Sequence, residues 1–192
     1  AMLVNEGLLY TEHGKGTFCL GRQRKRSDSK NIGVIATYIS EYIFPRVIQG
    51  IDDVLSRDGY SIMLKNTNNN TANEANCLQD FLSKDIEGLI IEPTKSALFS
   101  DNLKFYEAFD KHRIPYVFIH GYNMQLEGKS HVILDDAAGM VSVIEYLAKL
   151  GHKNIIGVFK ADDIQGINRH KGFAKGLIKV GLSYNPDNII WF

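Results

Sequence analysis

The sequence predicts an α/β fold of parallel strands covered by helices, and two observations lead to it. From residue 31 onward, short β-rich apolar runs alternate with segments of helical spacing. The helical segments are long enough to cross between parallel strands, which builds right-handed βαβ units and a sheet buried on both faces. A third observation concerns the front of the chain, where a glycine-tipped hairpin pattern and a basic run precede the first such strand.

The front is read first. Leu3, Val4, Leu8 and Leu9 look like the end of a helix running into a strand. Tyr10 and Thr11 lead to a tip of His13, Gly14, Lys15 and Gly16, and Thr17, Phe18 and Cys19 return. Glycines supply the backbone freedom of a tight hairpin. A narrow tip with one lysine suits a DNA minor groove or a line of phosphates. Gly14-Lys15-Gly16-Thr17 lacks the full Gly-x-x-x-x-Gly-Lys-Ser/Thr spacing of a phosphate loop, and no apolar helix follows it. Residues 1–30 hold six basic side chains against three acidic ones, a balance of +3 in a chain of net charge zero. That run is either a polyanion-binding front or a solvated linker.

The body follows in order. Strands are expected at 32–36, 60–64, 88–91 and 116–119. Val47, Ile48, Ile51, Val54 and Leu55 form one helical stripe that Gly59 ends. Thr71 and Glu74 fit a capping box in front of Leu78, Phe81 and Leu82. Leu103, Tyr106 and Phe109 mark a third helix. The polar segment 121–129 reads as a hinge between two sheets. A strand at 131–134 follows, then a helix with Val141, Ile144, Leu147 and Leu150 on one face and Gly151 just past its end. A strand at 155–158, a helix with Phe173, Ala174, Leu177 and Ile178 stopped by Gly181, and a strand at 189–191 complete the pattern.

Composition bounds the function classes. A length of 192 residues allows a sizeable core and one or two domains. No run approaches the roughly 18 apolar residues of a membrane span, and the N-terminus has no signal pattern. Cys19 and Cys77 are only two and far apart, which fits a reducing compartment. The expectation is a cytoplasmic protein without a membrane partner.

Two resemblances sharpen this. LVNEGLLYTEHGKGTF resembles the last part of a winged-helix domain of the GntR class of bacterial regulators, whose Gly-x-Gly-Thr-Phe wing follows a helix ending in Glu-Gly-Leu; it covers residues 3–19. IGVI, FPRVIQGIDDVLSRDGY, EGLIIEP, IPYVFIHG, VILDDAAGMVSVIEYLAKLGHKNIIGV and RHKGFAKGLIKVGL together resemble the effector-binding domain of the LacI/GalR regulators, related to periplasmic sugar-binding proteins; they cover about residues 31–190. The pairing of the two is similar to a group of arabinose-responsive repressors.

The resemblance implies a periplasmic-binding-protein-like fold of two lobes with parallel sheets, incomplete here, preceded by the remnant of a winged-helix domain. The implied layout is a wing at 1–20, a linker at 21–30, one lobe at 31–130 and part of a second at 131–192. A complete domain of this kind runs roughly a hundred residues further. The implied function is a sugar-responsive repressor that binds operator DNA and takes L-arabinose or a similar sugar between its lobes. Its homodimer would use the helices at 44–57 and 73–83, and the DNA-binding residues would be His13, Gly14, Lys15 and Gly16. A sugar-binding transport receptor is the alternative; the wing and the missing export signal argue against it.

Ligands of parallel sheets sit beyond the carboxyl ends of the strands, so the candidate effector-binding residues are those after each strand. Tyr38, Tyr42 and Phe44 offer aromatic faces for a sugar ring, or ordinary core packing. Lys65 follows the second strand, in a run that is either ligand-binding or turn chemistry. Glu92 either accepts two hydroxyls or is a solvated loop charge. His120 is either a ligand or a core histidine. Asp135 and Asp136 precede a helix, where one accepts a sugar hydroxyl or Asp136 serves as N-cap. Arg169 begins an Arg-x-x-Gly motif, which in the family sets a guanidinium over sugar hydroxyls; otherwise it pairs with Asp162 or Asp163. Asp135 with Asp136, or Glu92 with an aspartate, would also suit glycoside hydrolysis, but no nucleophile motif stands out and sequence adjacency does not set carboxylate separation. No His/Cys cluster has metal spacing. The expectation is a protein without catalysis, cofactor or metal.

Overall fold

The structure, a computed structural model, describes residues 9–12, 14–19, 28–40 and 43–192. His13, Tyr42 and the helix end and linker expected at residues 3–8 and 21–27 lie outside the described residues. The front is a hairpin of β1 (Leu9–Glu12) and β2 (Gly16–Cys19), with Glu12 opposite Gly16 and Leu9 opposite Cys19. Gly14 and Gly16 have φ of 81° and 114°, in the left-handed region that glycine enters without a Cβ penalty.

Five strands form the main sheet: β3 (Asn31–Ala36), β4 (Ser61–Asn66), β5 (Gly88–Ile91), β6 (Tyr116–Ile119) and β7 (His131–Val132). They run in the order β4-β3-β5-β6-β7, every pair parallel. The helices between them are α1 (Phe44–Arg57), α2 (Thr71–Ser83) and α3 (Leu103–Lys111). The core lies where α2 and α3 meet the sheet: Ile35, Leu78, Phe81, Ile91, Phe109 and Phe118 are wholly or almost wholly buried. Helix α1 differs, because none of its residues is buried and Val54 is 59% exposed, so its apolar stripe is only partly used inside the chain.

The start of α2 departs from the expected capping box. Asn70, in extended conformation, is the cap, and its side-chain oxygen accepts from the amides of Ala72 at 2.9 Å and Asn73 at 3.1 Å. With the cap one residue earlier, Glu74 falls one position too late to reach back. It turns inward, 2% exposed, and accepts a 2.6 Å hydrogen bond from the Tyr106 hydroxyl.

The segment 121–129 lies within the first sheet unit. Asn123 caps a short 3₁₀ turn, Met124–Leu126, by accepting from the Gln125 amide at 2.9 Å. The chain then returns to the same sheet, since Val132 of β7 pairs with Ile119. The crossing to the second unit comes after β7, a strand two residues long rather than four.

The second unit comprises α4 (Asp136–Lys149), β8 (Gly157–Phe159), α5 (Ile164–Lys179) and β9 (Ile189–Trp191), with β8 and β9 parallel. Ile144, Phe159, Phe173 and Leu177 form its core. Helices α4 and α5 pack closely because α5 is bare at the contact: a Cβ on Gly172 would strike the Ala137 carbonyl, and one on Gly176 would lie 2.8 Å from Ile144 Cβ. Leu150 and Ile178, apolar positions of these two helical segments, are 58% and 71% exposed. Strand β8 starts two residues later than expected, which leaves Ile156 outside it and exposed.

The chain enters the main sheet at Lys30, whose φ is 57°. Its amide donates to Glu87 Oε1 at 2.8 Å, and its ammonium lies 4.4 Å from the centre of the Tyr60 ring. The Tyr60 hydroxyl donates to the other Glu87 oxygen at 3.2 Å. This clamp sits at the amino ends of the strands. Among the described residues no helix is long and apolar enough to cross a membrane.

Candidate functional site

In the order β4-β3-β5-β6-β7 the connections leave β3 to one side and β5 to the other. A crevice opens at such a switch point, beyond the carboxyl ends of the strands. Thr37 and Tyr38 follow β3, Glu92 follows β5 and His120 follows β6, and all four line one cleft of about 330 Å³. That volume falls within the range of about 300–1,000 Å³ usual for small-molecule sites.

Glu92 is held rather than solvated. It is 8% exposed, and its Oε2 accepts from the Thr37 amide at 2.7 Å and from the Thr37 hydroxyl. Its other oxygen lies 3.2 Å from His120 Nδ1. A carboxylate can only accept there, so Nδ1 carries the proton of this contact. His120 therefore answers to a carboxylate and not to backbone. Its φ of 62° is strained for a residue with a Cβ, and such strain persists where the surroundings fix it.

The aromatic wall is Phe44 with Tyr38. The Phe44 ring stands edge-on to His120 at 5.7 Å and 6.0 Å from Tyr38. Both rings line the cleft. Phe44 is the first residue of α1, and Pro45 after it suits the first turn of a helix.

The second unit supplies the opposite wall. Arg169, Gln165, Asp163 and Lys160 line the same cleft. The expected alternatives for Arg169, Asp162 and Asp163, are not its partners. Its Nε donates to Asp136 Oδ1 at 2.8 Å, with the Asp136 side chain only 6% exposed and that of Arg169 46%. Asp162 and Asp163 instead hold Lys160. Burial pulls the Lys160 ammonium down, but the Asp162 hydrogen bond and both carboxylate charges outweigh it and leave its pKa raised.

Two candidates are not in the cleft. Lys65 belongs to β4 itself and points at α2, where its Nζ lies 2.7 Å from Asp80 and over the Phe81 ring. Asp136 lies behind Arg169, oriented to its guanidinium, and is not among the residues lining the cleft. Nor is Asp136 the N-cap of α4: Asp135 is, accepting from the Ala138 amide at 2.9 Å. Thr37, Asn69, Lys95 and Ser96 were missed. Asn69 and Lys95 share a signal in their conformation, with φ of 51° and 47°, and the Asn69 side chain accepts from the Lys95 amide at 3.3 Å. At the front, Gly14, Lys15 and Gly16 form the exposed turn of the hairpin.

A wall of rings, carboxylate and imidazole facing amide and guanidinium groups suits a small molecule with one apolar face and many hydroxyls. Among the described residues no group of three or more His, Cys, Asp or Glu side chains could hold a metal.

No family model matches the chain. Among solved structures, a putative ribose operon repressor from Burkholderia thailandensis superposes with a TM-score of 0.76 at 26% identity, over 85% of this chain and 60% of that one. A periplasmic binding protein/LacI transcriptional regulator from Alkaliphilus metalliredigens, complexed with D-xylulofuranose, gives 0.69 at 21% identity, over 85% and 56%. The fold is of the LacI effector-domain type. Its sheets are open, as described above. In sequence, the chain is 42% identical to an arabinose metabolism transcriptional repressor of Halalkalibacterium halodurans, over 99% of this chain and 52% of that protein. It is 38% identical to a protein of the same name from Geobacillus stearothermophilus, over 90% and 48%. The chain thus spans about half the length of the curated relatives it matches. Both of these relatives are named as transcriptional repressors.

Proposed function

We propose that the chain is part of a sugar-responsive transcriptional repressor whose effector, L-arabinose or a similar sugar, binds in the cleft between the two units. The observation that supports this most is the opposition of Phe44, Tyr38, Glu92 and His120 on one wall to Arg169 and Gln165 on the other. An aromatic face stacks on the apolar side of a sugar ring. Glu92 accepts from hydroxyls, and Arg169, already oriented through Nε, offers its remaining donors to adjacent oxygens. The names of the two curated relatives point to arabinose.

The layout that goes with this reading is a GntR-type wing over residues 1–20, a linker at 21–30, and two lobes that divide after β7 rather than at residue 130. His13, Gly14, Lys15 and Gly16 meet operator DNA. A homodimer forms through α1 and the helix at 73–83, and the partly unused apolar stripe of α1 supports that surface. Effector binding shifts the lobes and hence the spacing of two DNA-binding domains.

The deciding experiment is a thermal-shift panel of pentoses and hexoses on the full-length protein. L-arabinose at a hundred times its Kd should add about 2.7 kcal/mol of stability. A midpoint that no sugar moves removes the reading.

A further inference from the structure

The two walls of the cleft touch, and the contact is built from several parts. Ser96, 3% exposed, lies in the loop after β5, and its hydroxyl oxygen accepts from the amide of Ile164, the first residue of α5, at 2.9 Å. The next residue, Ala97, donates its amide to the Asp162 carbonyl at 3.2 Å. Lys95 Nζ lies 3.9 Å from the Asp162 carboxylate. From the loop after β6, Gly121 closes the contact: a Cβ there would come within 3.0 Å of Ile164 Cγ2 and 3.2 Å of Ser96 Oγ.

The first amides of a helix have no partner inside it. Asp163 serves the Gly166 amide at 2.6 Å, and the Ile164 amide is served from the other unit, by Ser96. The loop is also fixed from below. Thr94, 2% exposed, donates its hydroxyl to Thr67 at 3.0 Å, so residue 94 faces the first unit's interior while residue 96 faces the second unit. The helix docked this way presents Gln165 and Arg169 to the cleft.

We propose that Ser96 is a positioning residue of the cleft: it docks the start of α5 on the first unit and so sets Gln165 and Arg169 opposite Glu92 and His120. The identity of the ligand rests on the sugar reading above; the docking does not. Loss of the docking lowers the fraction of molecules with both walls in place, and apparent affinity falls by that fraction.

Two measurements on the full-length protein test this. Without ligand, hydrogen exchange at the Ile164 amide should be slow in the wild type and faster in Ser96→Ala, by about fivefold for the loss of one cap, while amides further along α5 stay as protected as before. With L-arabinose as probe, Ser96→Ala should raise Kd by at most the same factor, reached where the undocked form comes to predominate, with little change in the global unfolding midpoint. A residue that serves only stability would instead lower the midpoint and leave Kd alone. Gly121→Ala, which keeps the hydroxyl but wedges the contact, should move both readings in the same direction and stands in if Ser96→Ala does not fold. An Ile164 amide that exchanges freely in the wild type, or a Ser96→Ala protein with unchanged exchange and Kd, overturns the proposal. A wild type that answers to no sugar, yet whose Ile164 protection depends on Ser96, removes sugar sensing and leaves the docking standing.

Discussion

Glu92 and His120 meet at 3.2 Å at the ends of two neighbouring strands, and the same carboxylate closes on the Thr37 amide after a third. One side chain thus joins three of the strand ends that floor the cleft. Glu92→Ala leaves the nearly buried Thr37 amide unpaired, which costs about 1–3 kcal/mol. The variant should unfold at lower temperature by calorimetry and lose its thermal response to L-arabinose.

Arg169 and Asp136 act in series. Arg169→Ala should abolish the sugar response, and Arg169→Lys should weaken binding at least about tenfold, because an ammonium cannot keep the Asp136 bond and still present a planar fork. Asp136→Asn should weaken binding by less, since it touches the cleft only through Arg169. Titration calorimetry on the three variants gives the order; equal losses for Asp136→Asn and Arg169→Ala would contradict it.

Glu74 makes stability fall as pH rises. Burial pushes its pKa above the ordinary glutamate range, against the smaller opposing effect of hydrogen bonds from Tyr106, Asn102 and Thr94. The folded-state value is the higher one, so the neutral acid is favoured by folding. Its contribution is full below the unfolded pKa and is lost as pH climbs through the folded one. Glu74→Gln keeps an uncharged hydrogen-bonding group. Its melting temperature relative to wild type should therefore increase from acid to neutral pH, and a constant difference between the two proteins would refute this.

Gly176→Ala should destabilise the second unit. The added methyl would sit 2.8 Å from Ile144 Cβ, in the tight contact of α4 and α5. Overpacking of this kind costs about 1–3 kcal/mol, against which the better helix propensity of alanine recovers up to about 1 kcal/mol. A chemical denaturation midpoint at or above wild type would show that the helices can separate freely.

How far the residues announced this arrangement depends on the range of the interaction. Strands β5 and β6 were legible to the residue, because each is a short apolar run bounded by polar or turn-forming neighbours. The cleft was legible as a place, since the rule about strand ends points at Tyr38, Glu92 and His120 without any side-chain geometry. Lys65 misled because β4 runs two residues past its apolar stretch, which puts Lys65 inside the strand and against Asp80. Thr71 and Glu74 satisfied the capping pattern, but Asn70, one residue earlier and equally able to cap, took the position. The Arg169–Asp136 pair spans 33 residues and the Ser96–Ile164 bond 68. No local spacing encodes either.

The Lys30 clamp has a mechanical consequence. It grips the incoming chain at one end of strands whose other end floors the cleft, and six residues of strand extend about 20 Å. That span exceeds any direct touch and is more than twice the screening length of about 8 Å in physiological salt. An occupant of the cleft can therefore reach Lys30 neither by contact nor by its field. What the cleft holds is felt at the front of the chain only through a displacement of the elements that lie between them.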